Sequence, residues 1–216
     1  MKTLFPILII VLLATYNPKV ENDLTQISTY DFLRDFPGYT SDSLVNIVVE
    51  IPAGCNQKWE VNKITGYMEW EPRGEDSLRV IKYLPYPANY GMIPSTWLPE
   101  HEGGDNDPLD VFLLGQAVER GSVVPARIIG VIRMLDKGLH DDKLIAVTTK
   151  DWFYDIHDIQ QLNEQYPGII EILTTWLLHY KGSEKIDIQD IESASTAKQI
   201  LHKAINAYNS RDGIIH

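Results

Sequence analysis

The chain has 216 residues, enough for one sizeable domain with its own hydrophobic core. Its 19 basic residues face 30 acidic ones, a formal charge of −11, which argues against nucleic acid or an anionic membrane surface as the main partner. The single cysteine, Cys55, rules out an intramolecular disulfide.

Residues 1–14, MKTLFPILIIVLLA, are the one strong anomaly of composition. Lys2 provides a minimal positive start and Leu4 to Ala14 an apolar run of secretory length, too short to span a bilayer as a helix. Residues 1–22 are therefore expected to act as a signal peptide or N-terminal apolar segment, with residues 23–216 as a single domain. The expected location is exported, periplasmic or extracytoplasmic, with cytoplasmic as the alternative. An uncleaved segment would give only loose N-terminal membrane association.

From about residue 40 to residue 150 the pattern is β. Leu44–Ile51 is rich in β-branched residues and ends at the turn signal Pro52-Ala53-Gly54. Lys58 and Glu60 alternate with Trp59 and Val61, and Ser77–Tyr83 alternates likewise. Leu84–Gly91 reads as a break in regular structure. Asp110–Gly115, Ser122–Leu135 and Lys143–Thr149 complete the strand candidates. The last third is helical. Ile169, Ile172, Leu173, Trp176, Leu177 and Tyr180 form an apolar stripe at helical spacing, with Pro167 in the first turn and Gly182 as the stop. A second helix is expected at about Ser195 to Asn209. The expected fold class is α+β: a small closed antiparallel OB-like barrel of about five strands, with C-terminal helices packed outside it.

The run GGDNDPLDVFLLG carries the chemistry. In extended backbone Asp105 and Asp107 share a face. Pro108 turns the chain, which would swing Asp110 toward the same point. Three converging carboxylates repel unless a cation lies between them. A solvated acidic turn competes with a metal site on these residues alone. A second acidic cluster, Asp136, Asp141 and Lys143, sits in a loop flexible at Gly138, at the rim where two strands end.

Taken together, these elements resemble the soluble family I inorganic pyrophosphatases. The run Asp105–Asp110 followed by Val111 is similar to that family's acidic signature. Val49-Glu50-Ile51-Pro52-Ala53 resembles its early strand and Lys58-Trp59-Glu60 its Lys-aromatic-Glu element. Tyr86-Pro87-Ala88-Asn89-Tyr90-Gly91 resembles its tyrosine motif, and Asp136, Asp141 and Lys143 its second cluster. His179-Tyr180-Lys181 is similar to its closing Tyr-Lys pair, so the resemblance runs from about residue 44 to residue 182.

The resemblance implies Mg²⁺-dependent hydrolysis of pyrophosphate to two phosphates by a water bridging metal ions. Asp105, Asp110, Asp136 and Asp141 are the implied metal ligands, and Asp107 the base. Glu50, Glu60 and Tyr86 are implied supporting residues. Lys58, Arg73, Tyr90, Lys143, Tyr180 and Lys181 are the implied phosphate-binding groups, Tyr90 and Lys143 also serving catalysis. Arg79 is an alternative to Arg73, because the spacing does not decide between them. A homo-oligomer, dimeric or hexameric, is also implied. Two other readings compete: a nucleotide or polyphosphate hydrolase on the same scaffold, and an OB-like binding module without turnover. The net charge and clustered carboxylates oppose the module, since single-strand binders need a basic groove.

Overall fold

The computed structural model describes residues 25–40, 44–74, 77–182 and 185–212. The expected N-terminal signal, residues 1–22, lies outside them. The strands, in chain order, are β1 (Gln26–Ile27), β2 (Val45–Ile51), β3 (Trp59–Val61), β4 (Met68–Trp70), β5 (Asn89–Met92), β6 (Asp110–Leu114), β7 (Val123–Asp136), β8 (Leu139–His140) and β9 (Lys143–Thr148). Helices α1 (Ile159–Gln165) and α2 (Ile169–Tyr180), strand β10 (Ile186–Ser193) and helix α3 (Ala194–Asp212) follow.

Two sheets result. The smaller has the order β1-β4-β3; the larger is a mixed sheet in the order β10-β7-β2-β5-β6-β9, with β8 paired to β7. The long strand β7 organises the larger sheet. It pairs with β2 through Val45↔Ala126, with β9 through Ala126↔Thr148 and with β10 through Ile186↔Asp136. Pairings therefore run from β7 through β2, β5, β6 and β9 and back to β7. The ladders are not all antiparallel as expected, because β6 and β9 run parallel, with Asp110 opposite Lys143. That one parallel pair sets the two acidic clusters side by side, since both strands begin at the same rim.

Burial explains the strands. Every residue of β2 except Asn46 is buried, so its β-branched run packs on both faces. Gly91 has no Cβ for a physical reason: one there would lie 1.9 Å from the Val48 carbonyl oxygen, where β5 crosses β2. Leu84–Gly91 thus ends in a strand, not a break. Tyr90 and Gly91 pair with Phe112 and Val111, an ordering that the Pro-rich approach conceals in sequence. Ser77–Tyr83 is conversely not a strand; its contacts are isolated bridges such as Gln57↔Val80.

The helices close the core. Ile170, Leu173, Trp176 and Leu177 are the buried face of α2. The helix begins after Gly168, in the left-handed region, so Pro167 precedes it and does not occupy its first turn. Gly182, at φ 90°, follows its last residues as expected. Strand β10 lies between α2 and α3, so the end of the chain is not all helical. Its polar sequence, Asp187 to Glu192, shows no clear alternation, and α3 starts directly after it.

Candidate active site

The acidic loop is a folded turn and not the extended segment expected. Asn106 has φ 67°, in the left-handed region that an asparagine tolerates. Its side chain accepts the Glu100 N–H at 3.0 Å and donates to the Glu100 carboxylate at 3.2 Å. Asp105 Oδ1 accepts the Asp107 N–H at 3.1 Å, so Asp105 folds back on its own loop. Asp107, Pro108 and Asp110 line one small pocket of about 60 Å³ with Glu50, Lys58, Glu60 and Lys63. The turn at Pro108 thus brings Asp107 and Asp110 together, while Asp105 does not line that pocket.

Lys143 is the centre of charge. It is 2% exposed, and its ammonium donates to Asp110 Oδ2 at 2.6 Å and to Asp141. Burial alone would depress its pKa, but Asp110 and Asp141 hold it charged far above the usual lysine range. Burial pushes the Asp110 carboxyl up, and Lys143 with Lys58 outweighs that and keeps it below its ordinary value. Asp141 stays raised by burial despite the same lysine, and so does Asp105, with the Asp110 charge adding to it.

Beside them, Glu50 is 5% exposed and accepts the Val61 N–H at 2.7 Å. Burial pushes its carboxyl up to about 8. Lys58 pairs with Glu60 at 2.9 Å and lies 5.4 Å over the Tyr90 ring. Its neighbours Tyr86, Glu60 and Glu50 raise it despite burial. Burial also raises the Tyr86 and Tyr90 hydroxyls, so both stay protonated donors.

Asp136 stands apart, at the end of β7. Its Oδ2 accepts from Lys181, while its Oδ1 is buried without a hydrogen-bond partner. Lys181 belongs to a second, larger cleft of about 550 Å³, lined also by Glu71, Arg73, Arg79, Lys82, Lys137, Tyr180 and Lys185. A chain of aromatic contacts runs from Tyr90, beneath Lys58, to Tyr180 in the cleft: Tyr90 to Tyr86 at 5.1 Å, Tyr86 to Trp176 at 4.4 Å and Trp176, stacked, to Tyr180 at 4.3 Å. Arg73 and Arg79 both face this cleft. Arg73 is exposed, whereas Arg79 is half-buried and spans both Glu71 carboxylate oxygens at 2.8 and 2.7 Å.

Two groups escaped the sequence reading. Lys63 forms an ion pair with Asp107, and Glu71 anchors Arg79. Lys63 is placed by the β3–β4 turn, where Asn62 Oδ1 accepts the Ile64 and Thr65 N–H groups at 2.9 and 3.1 Å. The Asn-x-x-Thr-Gly pattern was the available signal. As the side chains stand, no three acidic, imidazole or thiol groups among the described residues form a cation cage. Lysines hold the carboxylates instead: Lys63 on Asp107, Lys143 on Asp110 and Asp141, Lys181 on Asp136.

Comparison with known proteins shows which family the chain resembles. The family described as inorganic pyrophosphatase matches residues 47–209. The inorganic pyrophosphatase of Xylella fastidiosa is 34% identical over 169 residues, 76% of this chain and 89% of that protein. The human inorganic pyrophosphatase is 33% identical over 167 residues, 68% of this chain and 56% of that protein. Among solved structures, an inorganic pyrophosphatase from Schistosoma japonicum superposes with a TM-score of 0.75 at 26% identity, covering 82% of this chain and 70% of that one. One from Helicobacter pylori gives 0.67 at 30% identity over 81% and 99% of the two chains.

Proposed function

The chain belongs to the inorganic pyrophosphatase family, and on that premise we propose how its residues perform the reaction. It is a hydrolase that converts pyrophosphate and water to two phosphates. The observation that carries the assignment of roles is the buried Lys143, held between Asp110 and Asp141 next to the pocket of Asp107.

A divalent metal cofactor goes with the family, and we assign it as Mg²⁺. The donor set fits: four carboxylates supply the hard oxygens Mg²⁺ takes, and Asp136 Oδ1 has no other partner. Asp105, Asp110, Asp136 and Asp141 would hold it, in place of the lysine ammonium groups now on three of them. When bound, the cation would offset the charge of the substrate and acidify water.

Asp107 takes the proton of the attacking water on a carboxylate oxygen. Its position beside Asp110 in the small pocket supports this, and the ion pair with Lys63 orients the carboxylate. Lys58, Lys143 and Tyr90 hold the phosphate that is attacked. Tyr90 stays a neutral donor because burial keeps its hydroxyl protonated. Glu50 and Glu60 orient Lys58, and Tyr86 supports Tyr90 by ring contact. Tyr180, Lys181 and an arginine hold the leaving phosphate and stabilise the charge that develops on it. Arg73 and Arg79 both reach that cleft, and the half-buried, anchored Arg79 is the better oriented of the two. Asp107 as base in the pocket, with cations lining both the pocket and the neighbouring cleft, speaks against a binding module without turnover.

The proposal extends to architecture and surroundings. The circuit of strand pairings supports the small OB-like barrel, with the site at its rim. Residues 23–216 form the single catalytic domain, the apolar run 1–14 supports export, and copies assemble into a homo-oligomer. Phosphate release with Mg²⁺ against Ca²⁺ tests the metal assignment. Mg²⁺ should support turnover and Ca²⁺ should inhibit, since its larger, less regular shell suits octahedral sites poorly. Equal rates would contradict it.

A further inference from the structure

Glu50 at 5% and Asp142 at 6% are the least exposed carboxylates among the described residues, and the proposed machinery uses only the first. Asp142 stands in sequence between Asp141 and Lys143. Its Oδ1 accepts the Met134 N–H at 3.0 Å, and its Oδ2 accepts the Arg133 Nε–H at 2.9 Å. Arg133 in turn donates through Nη1 to Glu192 at 2.9 Å. Three charged side chains, from β7, from β10 and from the residues just before β9, are thus joined by two ion pairs.

The ion pairs lie where the strand ladder is interrupted. β7 pairs with β9 through Ile132↔Lys143 and with β8 through Leu135↔His140. Between those pairs the Asp141 N–H still donates to the Met134 carbonyl at 3.0 Å, but the Met134 N–H turns to the Asp142 carboxylate. A side chain there supplies the acceptor that main chain supplies along the rest of the ladder. Asp141 and Lys143, two residues apart, share a face and meet, and the same lysine reaches Asp110. A slip of one residue would turn both of them off that face.

A buried ion pair adds little net stability, and well-packed apolar residues of similar volume often do as well or better; its best-attested use is to fix a register. We infer that Asp142, clamped by Arg133 and Glu192, is a positioning residue for the hydrolysis. It fixes the register in which Asp141 and Lys143 meet Asp110, and through those two neighbours it sets the affinity for Mg²⁺ and the grip on phosphate. The inference rests on the reading that Asp141 is a ligand of the cation. Asp142 acts only through the residues on either side of it, because its own oxygens are committed to Met134 and Arg133.

The test titrates the full-length protein with Mg²⁺ in a calorimeter, without substrate, beside pyrophosphate kinetics and denaturant unfolding. Asp142→Ala should weaken Mg²⁺ binding roughly 10-fold or more, the usual effect of removing a partner behind a metal ligand. KM for pyrophosphate should rise, and kcat at saturating Mg²⁺ should stay close to the parent's. Asp142→Asn, whose amide oxygen can still accept the Met134 N–H, should recover part of the loss. Trp176→Ala, destabilised through the core, should bind Mg²⁺ as the parent does, so lost stability alone does not produce the shift. Lower stability with parent-like Mg²⁺ binding and KM in Asp142→Ala would overturn the inference and leave the ion pairs a purely structural role. If that variant fails to fold, parent-like Mg²⁺ binding in Asp142→Asn would overturn it instead. Asp141→Asn checks the reading beneath. If it leaves Mg²⁺ binding unchanged, that reading falls and the inference with it; if it weakens binding and Asp142→Ala does not, the inference alone falls.

Discussion

The small acidic pocket and the large basic cleft manage charge in opposite ways. Around the pocket the charges are paired and the innermost are buried: Lys143, beside the pocket, is 2% exposed and bridges two carboxylates, and Glu50 is 5% exposed. In the cleft most cations are exposed, and Lys82, Lys137 and Lys185 form no ion pair among the described residues. A buried pair loses strongly when one member is removed, because the other is left as an uncompensated charge. An exposed lysine costs little to lose and acts mainly on what it binds. The pocket is therefore built for chemistry and the cleft for grip, and substitutions should separate the two.

The largest effect belongs to the pocket. Asp107→Asn should lower kcat by roughly 10²–10⁴-fold, the usual worth of a general base, with little change in the Mg²⁺ concentration that gives half the maximal rate. Asp110→Asn should lower kcat and also shift that concentration upward. Rate against Mg²⁺ for both variants is the measurement. Identical shifts would show that the two carboxylates do not divide the work.

The wall between the two regions comes next. Trp176 is buried, stacks on Tyr180 and donates its Nε1–H to the Leu84 carbonyl at 2.9 Å. Trp176→Ala should cost about 3–5 kcal/mol of stability through the cavity it leaves. Denaturant unfolding reads that cost, and kcat of the folded protein should remain largely intact. A large fall in kcat with unchanged stability would move Trp176 from the wall into the machinery.

A smaller, graded effect should appear with pH in the chelated protein. Glu50 is raised to about 8 in the folded state. Below the ordinary glutamate range both folded and unfolded states hold the proton. From there up to about pH 8 only the folded state does, so stability falls as pH rises. Across that window the parent should lose up to about 1.4 kcal/mol per pH unit relative to Glu50→Gln. Unfolding midpoints at several pH values check this, and parallel curves would refute it. The smallest effect is a control remote from both regions. Asp158 caps α1 by accepting the Gln161 N–H at 2.8 Å, and Asp158→Ala should cost about 1 kcal/mol without touching turnover.

The pocket was far more legible in the sequence than the cleft, and the reason is physical. Asp107, Pro108 and Asp110 are close along the chain, so a turn signalled by proline was enough to bring the two acids together. The long β-branched run of β2 was equally plain, and so was the stripe of α2 except at Ile172, which is 58% exposed while Ile170, a position outside the expected stripe, is buried. The cleft instead draws on residues from Glu71 to Lys185, brought together by tertiary pairing alone. Single lysines at such separations carry no pattern. Strand β5 was hidden behind the proline-rich Leu84–Pro87, and β10 by its polar sequence. The parallel pairing of β6 with β9 was also unreadable, because periodicity reports burial and not strand direction. Asp105 shows the limit on a local scale: alternation placed it beside Asp107, whereas the left-handed Asn106 folds it back on the loop.

The central claim is that the acidic pocket and its cation perform the hydrolysis. Phosphate release from pyrophosphate, followed before and after exhaustive chelation and again after Mg²⁺ is returned, tests it most directly. The account predicts turnover at the start, none after chelation and recovery with Mg²⁺. Full activity in the chelated protein, or no phosphate released from pyrophosphate under any of the three conditions, would contradict it.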